Sequence, residues 1–364
     1  MTPVGRRTVI GAAGAAAAAA AAGPGATAAA AAADTAPAGP PPPRGLRLPE
    51  LWAHDPFIVA HRRHGHYFLY LRNRPEATGI PGTGTLLYRS RDLVTWQGPW
   101  SVFTVPDGAW AADGGWAPEV HHHAGKWYLF LTLHDEEQTL AEPPDVLIRT
   151  YRRGTSVAVA DSPYGPFRLL DPGRPHTPDT FMSLDGTLFV EDGEPWLVYA
   201  HEWIQRLDGT MEAIRLRPDL SGTTGEPVHL FRASGAPWLE TRLATDEAAL
   251  PPYVTDGPQL FRSRTGDLLM LWSTYLGPAG TQGYVQTQAR SRSGTLAGPW
   301  DLLPVLVGDN AGHGMPFRTF EGTLMLVLHR PFGSPDSRAK LYELHDAGDR
   351  FTLGRRRKDL DGGD

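Results

Sequence analysis

Gly125-Lys126-Trp127-Tyr128-Leu129-Phe130 is a turn glycine followed by a short aromatic and apolar run. Such a run is too short for a helix and suits a buried strand entered through a turn. The phrase returns at Gly65-His66-Tyr67-Phe68-Leu69-Tyr70, Gly193-Glu194-Pro195-Trp196-Leu197-Val198-Tyr199, Gly266-Asp267-Leu268-Leu269-Met270-Leu271-Trp272 and Gly322-Thr323-Leu324-Met325-Leu326-Val327-Leu328. Another strand-like segment precedes each copy, among them Phe57-Ile58-Val59 and Gln259-Leu260-Phe261, so each pair reads as a β-hairpin. Third strands follow at Thr85-Leu86-Leu87-Tyr88 and Val157-Ala158-Val159-Ala160, and turn phrases such as Asp161-Ser162-Pro163-Tyr164-Gly165-Pro166 close the units. The period is roughly 55–75 residues, a little longer than common propeller blades. Five four-stranded units with no amphipathic helix between them predict an all-β fold, a five-bladed β-propeller. A two-sheet sandwich accounts for the strands but not for the fivefold recurrence.

Composition narrows the function. A net charge of −6 over 364 residues argues against a nucleic-acid partner. The absence of cysteine excludes disulfides and thiolate metal sites. With 41 Gly, 34 Pro, 11 Trp and 11 Tyr the chain is rich in turns and aromatic rings, which suits carbohydrate, whose C–H faces stack on such rings. Residues 1–33 read as an export leader of the twin-arginine type. Arg6-Arg7 precede a small-residue run that ends in Ala31-Ala32-Ala33. That run is mostly Ala and Gly, too weakly apolar for a membrane span, so no membrane partner is expected of the mature form. Residues 34–45 read as a stiff Pro-rich linker, 46–350 as the propeller and 351–364 as a charged tail. Insertions at 136–154 and 232–252 are expected to wall the pocket.

The blade starts carry the chemistry. They read Asp55-Pro56, Trp116-Ala117-Pro118-Glu119, Ser183-Leu184-Asp185-Gly186, Thr255-Asp256-Gly257-Pro258 and Gly312-His313-Gly314. Asp-Pro alone is ordinary turn chemistry. In a propeller, however, the first strand of each blade lines the central channel, so four acids and a histidine should face one well. Like charges gather for a bound cation or for acid/base work, since repulsion and desolvation oppose them otherwise. Glycoside hydrolysis uses two carboxyl groups, and a third can hold the acid protonated.

Trp-x-x-Asp-Pro at 52–56, Trp-Ala-Pro-Glu at 116–119, the Asp185 segment, Asp-Gly-Pro at 256–258 and Gly-His-Gly at 312–314 occur in that order. Together they resemble glycoside hydrolase family 43, five-bladed propeller enzymes acting on arabinose-, xylose- and galactose-containing glycans. The likeness spans residues 48–346. It implies inversion of configuration, with Asp55 as the general base that activates water and Asp185 as the aspartate that orients the acid and raises its pKa. His313 matches a histidine at the channel centre that approaches a calcium or sodium ion through water; no cofactor is required for the chemistry. The resemblance implies a plant or microbial polysaccharide or oligosaccharide as substrate.

The acid departs from the family pattern, which has Glu where this chain has Asp256. Glu202, in Ala200-His201-Glu202-Trp203, is the rival, and Glu212 a third choice. Geometry has to decide between them. Trp52, Phe57, Trp116, Glu119, Trp203 and Arg318 are the candidate sugar contacts. Glu119 also reads as a buried acid satisfying its neighbours, and the three tryptophans as core. His121-His122-His123 looks metal-like, but alternate strand residues face opposite ways, so it reads as surface polarity. An inverting site needs its two carboxyls about 6.5–9.5 Å apart. The alternative function is a non-catalytic glycan-binding propeller, which the missing Glu favours. A sialidase would need an arginine cluster and a tyrosine nucleophile where this chain has acids.

Overall fold

A computed structural model describes residues 45–141, 149–239, 253–276, 283–333 and 335–363. The leader, most of the linker, and residues 142–148 and 240–252 of the two expected insertions lie outside them. The described chain forms five four-stranded sheets. Each is an antiparallel meander of strands consecutive in sequence, which makes it a five-bladed β-propeller. Blade one is β1 (Phe57–His61) to β4 (Trp96–Thr104), and blade two β5 (Asp113–His123) to β8 (Arg168–Leu169). Blade three is β9 (Ser183–Glu191) to β12 (Thr223–Arg232), blade four β13 (Asp256–Arg262) to β16 (Trp300–Val307), and blade five β17 (Gly312–Arg318) to β20 (Phe351–Arg356).

The propeller therefore runs past residue 350. The expected charged tail supplies β20, the outer strand of blade five, and then a single-turn helix (Lys358–Asp361). There Asp361 is fully buried and paired with Arg356.

The second strand of each blade explains the apolar phrases. It lies between two neighbouring blades, so both of its faces are buried. In β14 (Leu268–Leu276), Leu268, Met270 and Trp272 join a core with blade three, while Leu269 and Leu271 join one with blade five. In β18 (Leu324–Arg330), Leu324, Leu326 and Leu328 face blade four, and Met325 and Val327 face blade one. Period-two geometry thus divides one continuous apolar run between two interfaces. Truncating such a leucine to alanine costs about 2–5 kcal/mol.

Blade one and blade five close the ring without exchanging a strand. Ile58 N–H points to Met315 Sδ (3.4 Å), Ala53 N–H donates to Ser337 O (3.1 Å) and Arg62 to Phe320 O (2.7 Å). The first and last described segments meet at this seam: Arg47 Nη2 donates to Asp359 O (3.1 Å) and Arg338 Nε to Pro49 O (2.8 Å).

Candidate active site

At matching positions near the start of its innermost strand each blade has a left-handed residue: Asp55 (φ 51°), Ala117 (φ 45°), Asp185 (φ 57°), Gly257 (φ 55°) and His313 (φ 50°). For a side chain other than glycine this conformation costs about 1–3 kcal/mol, and such residues cluster at functional sites. In blades two to five the pairing of the first two strands slips at the same place: around Ala117, across Asp185-Gly186, after Asp256 and after Gly312. Such a bulge re-aims the side chain it carries. Three of these five seats hold polar side chains, and they meet: His313 Nδ1 lies 3.1 Å from Asp55 Oδ1 and 3.6 Å from Asp185 Oδ2. The blade-four seat is glycine because a Cβ there would come within 3.0 Å of the His313 ring.

Two residues along each strand lies a second layer on the same face: Phe57, Glu119, Thr187, Gln259 and Met315. Gln259 Nε2 donates to Glu119 Oε1 and to Thr187 Oγ1 (3.3 Å), and His121 Nε2 lies 2.9 Å from Glu119 Oε2. Phe57 meets the His121 ring edge-on. Glu119 and Phe57 are thus one pleat deeper than the ring, buried and internally satisfied, rather than sugar contacts. His121 is drawn into this layer, against the expectation of plain surface polarity. Arg318 is at the far end of β17, exposed, with Nη1 donating to Gly322 O at 3.2 Å, so it does not reach the well.

One side of the well is built of imidazoles. Asp55 Oδ1 lies 3.0 Å from His54 Nδ1, 3.1 Å from His313 Nδ1 and 3.2 Å from His329 Nδ1. His329 is the penultimate residue of β18 and had no place in the sequence motifs; the switch from an apolar run to His329-Arg330 is its one signal. His54 stacks on His329 at 4.0 Å, Trp52 stacks on His54, and the Arg74 guanidinium covers Trp52. Burial works to raise the Asp55 carboxyl. The neighbouring histidines His313, His54 and His329 outweigh burial and hold the carboxyl well below the usual range. Burial pushes His313 down and His329 down to about 3, so near neutrality these two rings act on Asp55 as uncharged partners. His54 is shifted the other way: burial opposes its charge, but the adjacent Asp55 raises its pKa.

The other side is built of carboxyls. Asp185 Oδ2 accepts the Gly257 N–H (3.1 Å), and Asp185 N–H donates to Thr132 Oγ1 (2.9 Å). Burial, then the charges of Asp256 and Asp55, push Asp185 well above the ordinary value. Asp256 sits one residue before the left-handed seat and accepts a hydrogen bond from Tyr284 OH at 2.9 Å. Burial, then the charge of Glu202, raise it to about 7 in spite of that bond. Glu202 follows β10 (Glu194–His201), is buried, and is ion-paired with Arg153 Nη1. Its own pKa is raised by burial, with Arg153 opposing. Arg153 lies over the rings of Trp116 (4.5 Å) and Tyr151 (4.8 Å), so Trp116 serves as a shelf for the arginine. Trp203 opens the one-turn helix after Glu202 and is half-buried. Glu212 accepts from Thr210 Oγ1 (2.7 Å) beside His229, on the third strand of its blade and away from the ring.

The calcium or sodium ion that the resemblance implies near His313 does not fit this donor set as a directly held ion. Such hard cations take oxygen ligands, about six to eight for calcium. His313 Nδ1 is instead engaged by Asp55 and Asp185. Among the described residues, the grouping whose ligand atoms lie within 4.8 Å of one another is His54, Asp55 and His329.

Comparison with known proteins agrees with this architecture. The sequence profile of Glycosyl hydrolases family 43 matches residues 50–347. The crystal structure of endo-arabinase from Bacteroides thetaiotaomicron VPI-5482 superposes with a TM-score of 0.70 at 34% identity, over 83% of this chain and 98% of that one. Endo-1,4-beta-xylanase from the same organism shares the fold, with a TM-score of 0.62 at 20% identity over 84% and 95% of the two chains. Probable arabinan endo-1,5-alpha-L-arabinosidase C of Aspergillus fumigatus is 24% identical over 156 residues, 40% of this chain and 43% of that protein. The match therefore spans less than half the length of that relative. The family profile, in contrast, runs from the first strand of blade one to the third of blade five, and the chain belongs to glycosyl hydrolase family 43.

Proposed function

We propose that this protein is an inverting glycosidase that cleaves arabinose-containing glycans, with Asp55 as general base and Asp256 as general acid. The carrying observation is the opposite setting of two aspartates in one well: Asp55 Oδ1 lies within 3.2 Å of three imidazole nitrogens, which hold its carboxyl low, whereas Asp256 accepts one hydrogen bond, from Tyr284, and is raised to about 7 by burial and Glu202. Pairs pushed apart in this way mark acid and base. Asp55 takes a proton from water as the oxygen attacks the anomeric carbon. Asp256 gives its proton to the departing glycosidic oxygen, and the bond to that oxygen breaks through an oxocarbenium-like state. Asp185 and Tyr284 act by positioning. Asp185 fixes the Gly257 amide beside the acid, and the Tyr284 hydroxyl orients the Asp256 carboxyl. Glu202 is the poorer acid because its partner is a buried arginine that favours its anion. The similarity to an endo-arabinase over nearly the whole of that chain supports arabinan over xylan or galactan as substrate.

The test is a screen of arabinan, xylan and galactan, with the product anomer read by NMR before mutarotation. Release of the inverted arabinose anomer is expected. Retention, or turnover of xylan or galactan alone, overturns the assignment. Binding of arabinan without any hydrolysis establishes the glycan-binding alternative in its place. The proposal includes export through the twin-arginine route, supported by Arg6-Arg7 ahead of the Ala-rich run. Replacing both arginines by lysine should retain the protein in the cytoplasm, and unchanged secretion refutes that route.

A further inference from the structure

We propose that Arg72 anchors a subsite for a carboxylate-bearing sugar, a uronic acid residue of the glycan, on the blade-one side of the well. The binding half stands on the residues alone; only the effect on turnover rests on the glycosidase reading above.

Arg72 closes β2 (His66–Arg72). Its position has a counterpart in every blade. Phe57 pairs with Tyr70, Glu119 with Phe130, Thr187 with Val198, Gln259 with Leu271 and Met315 with Val327. Two residues further along the second strands, Arg72 matches Thr132, Ala200, Ser273 and His329. Three of these accept the backbone N–H of the next blade's left-handed residue: Thr132 Oγ1 from Asp185 (2.9 Å), Ser273 Oγ from His313 (2.8 Å) and His329 Nδ1 from Asp55 (3.2 Å). Ala200 has no such group, and the Gly257 N–H goes to Asp185 instead. Arginine has only donors, so Arg72 cannot hold the Ala117 amide in this way. The position that ties other blades together is given over to a cation in blade one.

That cation lacks a counterion. Among the described residues Arg72 forms no hydrogen bond or ion pair, and its Nε is buried without a partner. Asp55, Glu76 and Asp113 favour its charge from beyond ion-pair range, while burial opposes it and lowers its pKa. The adjacent arginines differ. Arg74, over Trp52, pairs with Glu76 (2.6 Å), and Arg153, over Trp116, pairs with Glu202. Arg72 lies 5.8 Å from the same Trp116 ring with no acid of its own. The nearby polar atoms are donors as well: Trp52 Nε1 and Trp116 Nε1 are buried without partners, and an indole N–H can only donate.

This wall lacks an acceptor that carries negative charge. A desolvated cation calls for an anion, and a carboxylate accepts two parallel N–H groups from one guanidinium. A neutral hydroxyl leaves the charge uncompensated. Trp52, Arg72, Arg74 and Tyr88 border a cavity of about 510 Å³, within the about 300–1,000 Å³ of small-molecule sites. Trp52 stacks on His54, which joins that cavity to the well, and aromatic rings suit the C–H faces of a sugar.

The experiment uses the full chain and one acidic, arabinose-bearing polysaccharide, either untreated or with its uronic carboxyls reduced to alcohols by carbodiimide and borohydride. Wild type should show a KM at least about tenfold lower on the untreated polymer. Arg72→Gln should abolish that difference; Arg72→Met takes its place if the glutamine variant does not fold by circular dichroism. Arg318→Ala, at the exposed far end of β17, should preserve it. Tryptophan fluorescence, titrated with sodium galacturonate, galactose or sodium phosphate, reads binding without turnover. Galacturonate alone should give a saturable change, and that change should disappear in the Arg72 variant. Equal KM on the two polymers, or a difference that survives the loss of Arg72, overturns the subsite. A response to phosphate as strong as that to galacturonate overturns the sugar assignment in favour of a free anion. A wild type that hydrolyses neither polymer refutes the proposed function, while the galacturonate titration still decides the subsite.

Discussion

The two sides of the axial well contain the same residue type at similar depth and treat it oppositely. Asp55 lies among three imidazole nitrogens within 3.2 Å and is kept anionic. Asp256 lies toward Glu202 and Asp55, has one hydroxyl donor, and keeps its proton up to about 7. Burial pushes both carboxyls the same way, so burial is not what separates them. The neighbours decide: imidazoles on one side, anions on the other. A fold that sets polar seats around a ring can therefore make a base and an acid from two aspartates by choosing what occupies the adjacent blades.

The comparison breaks most severely at Asp55. Asp55→Asn should lower arabinan hydrolysis by about 10³–10⁴-fold while circular dichroism and arabinan binding persist; a smaller loss removes Asp55 from the base role. Next comes Asp256→Asn, with an expected loss of about 10²–10³-fold on arabinan. The loss should be far smaller on nitrophenyl arabinofuranoside, whose leaving group needs little protonation. If Glu202→Gln shows that leaving-group dependence and Asp256→Asn does not, Glu202 is the acid.

The pH profile sharpens the contrast further. Asp256 works protonated, so kcat should fall as pH rises through about 7. Removing the neighbouring anion in Glu202→Gln should lower the Asp256 pKa and move the alkaline limb to lower pH. A limb that stays in place uncouples the two carboxyls. The smallest effect is on stability, away from the well. Burial pushes His176 and His201 down from 6.5 to about 4. Between those values the unfolded chain binds more protons than the folded one, so stability should rise with pH from about 4 to 6.5. Tm of wild type should climb across that window, and His176→Gln should flatten part of the climb.

The blade count was legible because a strand buried on both faces must be apolar at consecutive positions, and that pattern survives in Tyr67-Phe68-Leu69-Tyr70 and its four counterparts. Strand β20 was not legible. Phe351-Thr352-Leu353-Gly354-Arg355-Arg356 is the outermost strand, largely solvated, and its charges read as a tail. Asp55, Asp185 and His313 could be read as a set because each occupies the left-handed seat of its blade. Glu119 was grouped with them by spacing alone, yet two residues along a strand move a side chain one pleat down the channel. Tyr284 and His329 come from the third and second strands of their blades and carry no motif. Only the fold brings them to Asp256 and Asp55. Arg153 became visible as the partner of Glu202 for the same reason.

The seam between blades one and five has a further consequence. Because Arg47 reaches Asp359 and Arg338 reaches Pro49, a short peptide could join the first and last described segments. The polypeptide could then be reopened at an outlying turn such as Ala124-Gly125, where an added side chain meets nothing within 4 Å. Such a circular permutant would begin within blade two and still assemble the same well, so the starting point of translation is independent of the order in which the blades enclose the substrate.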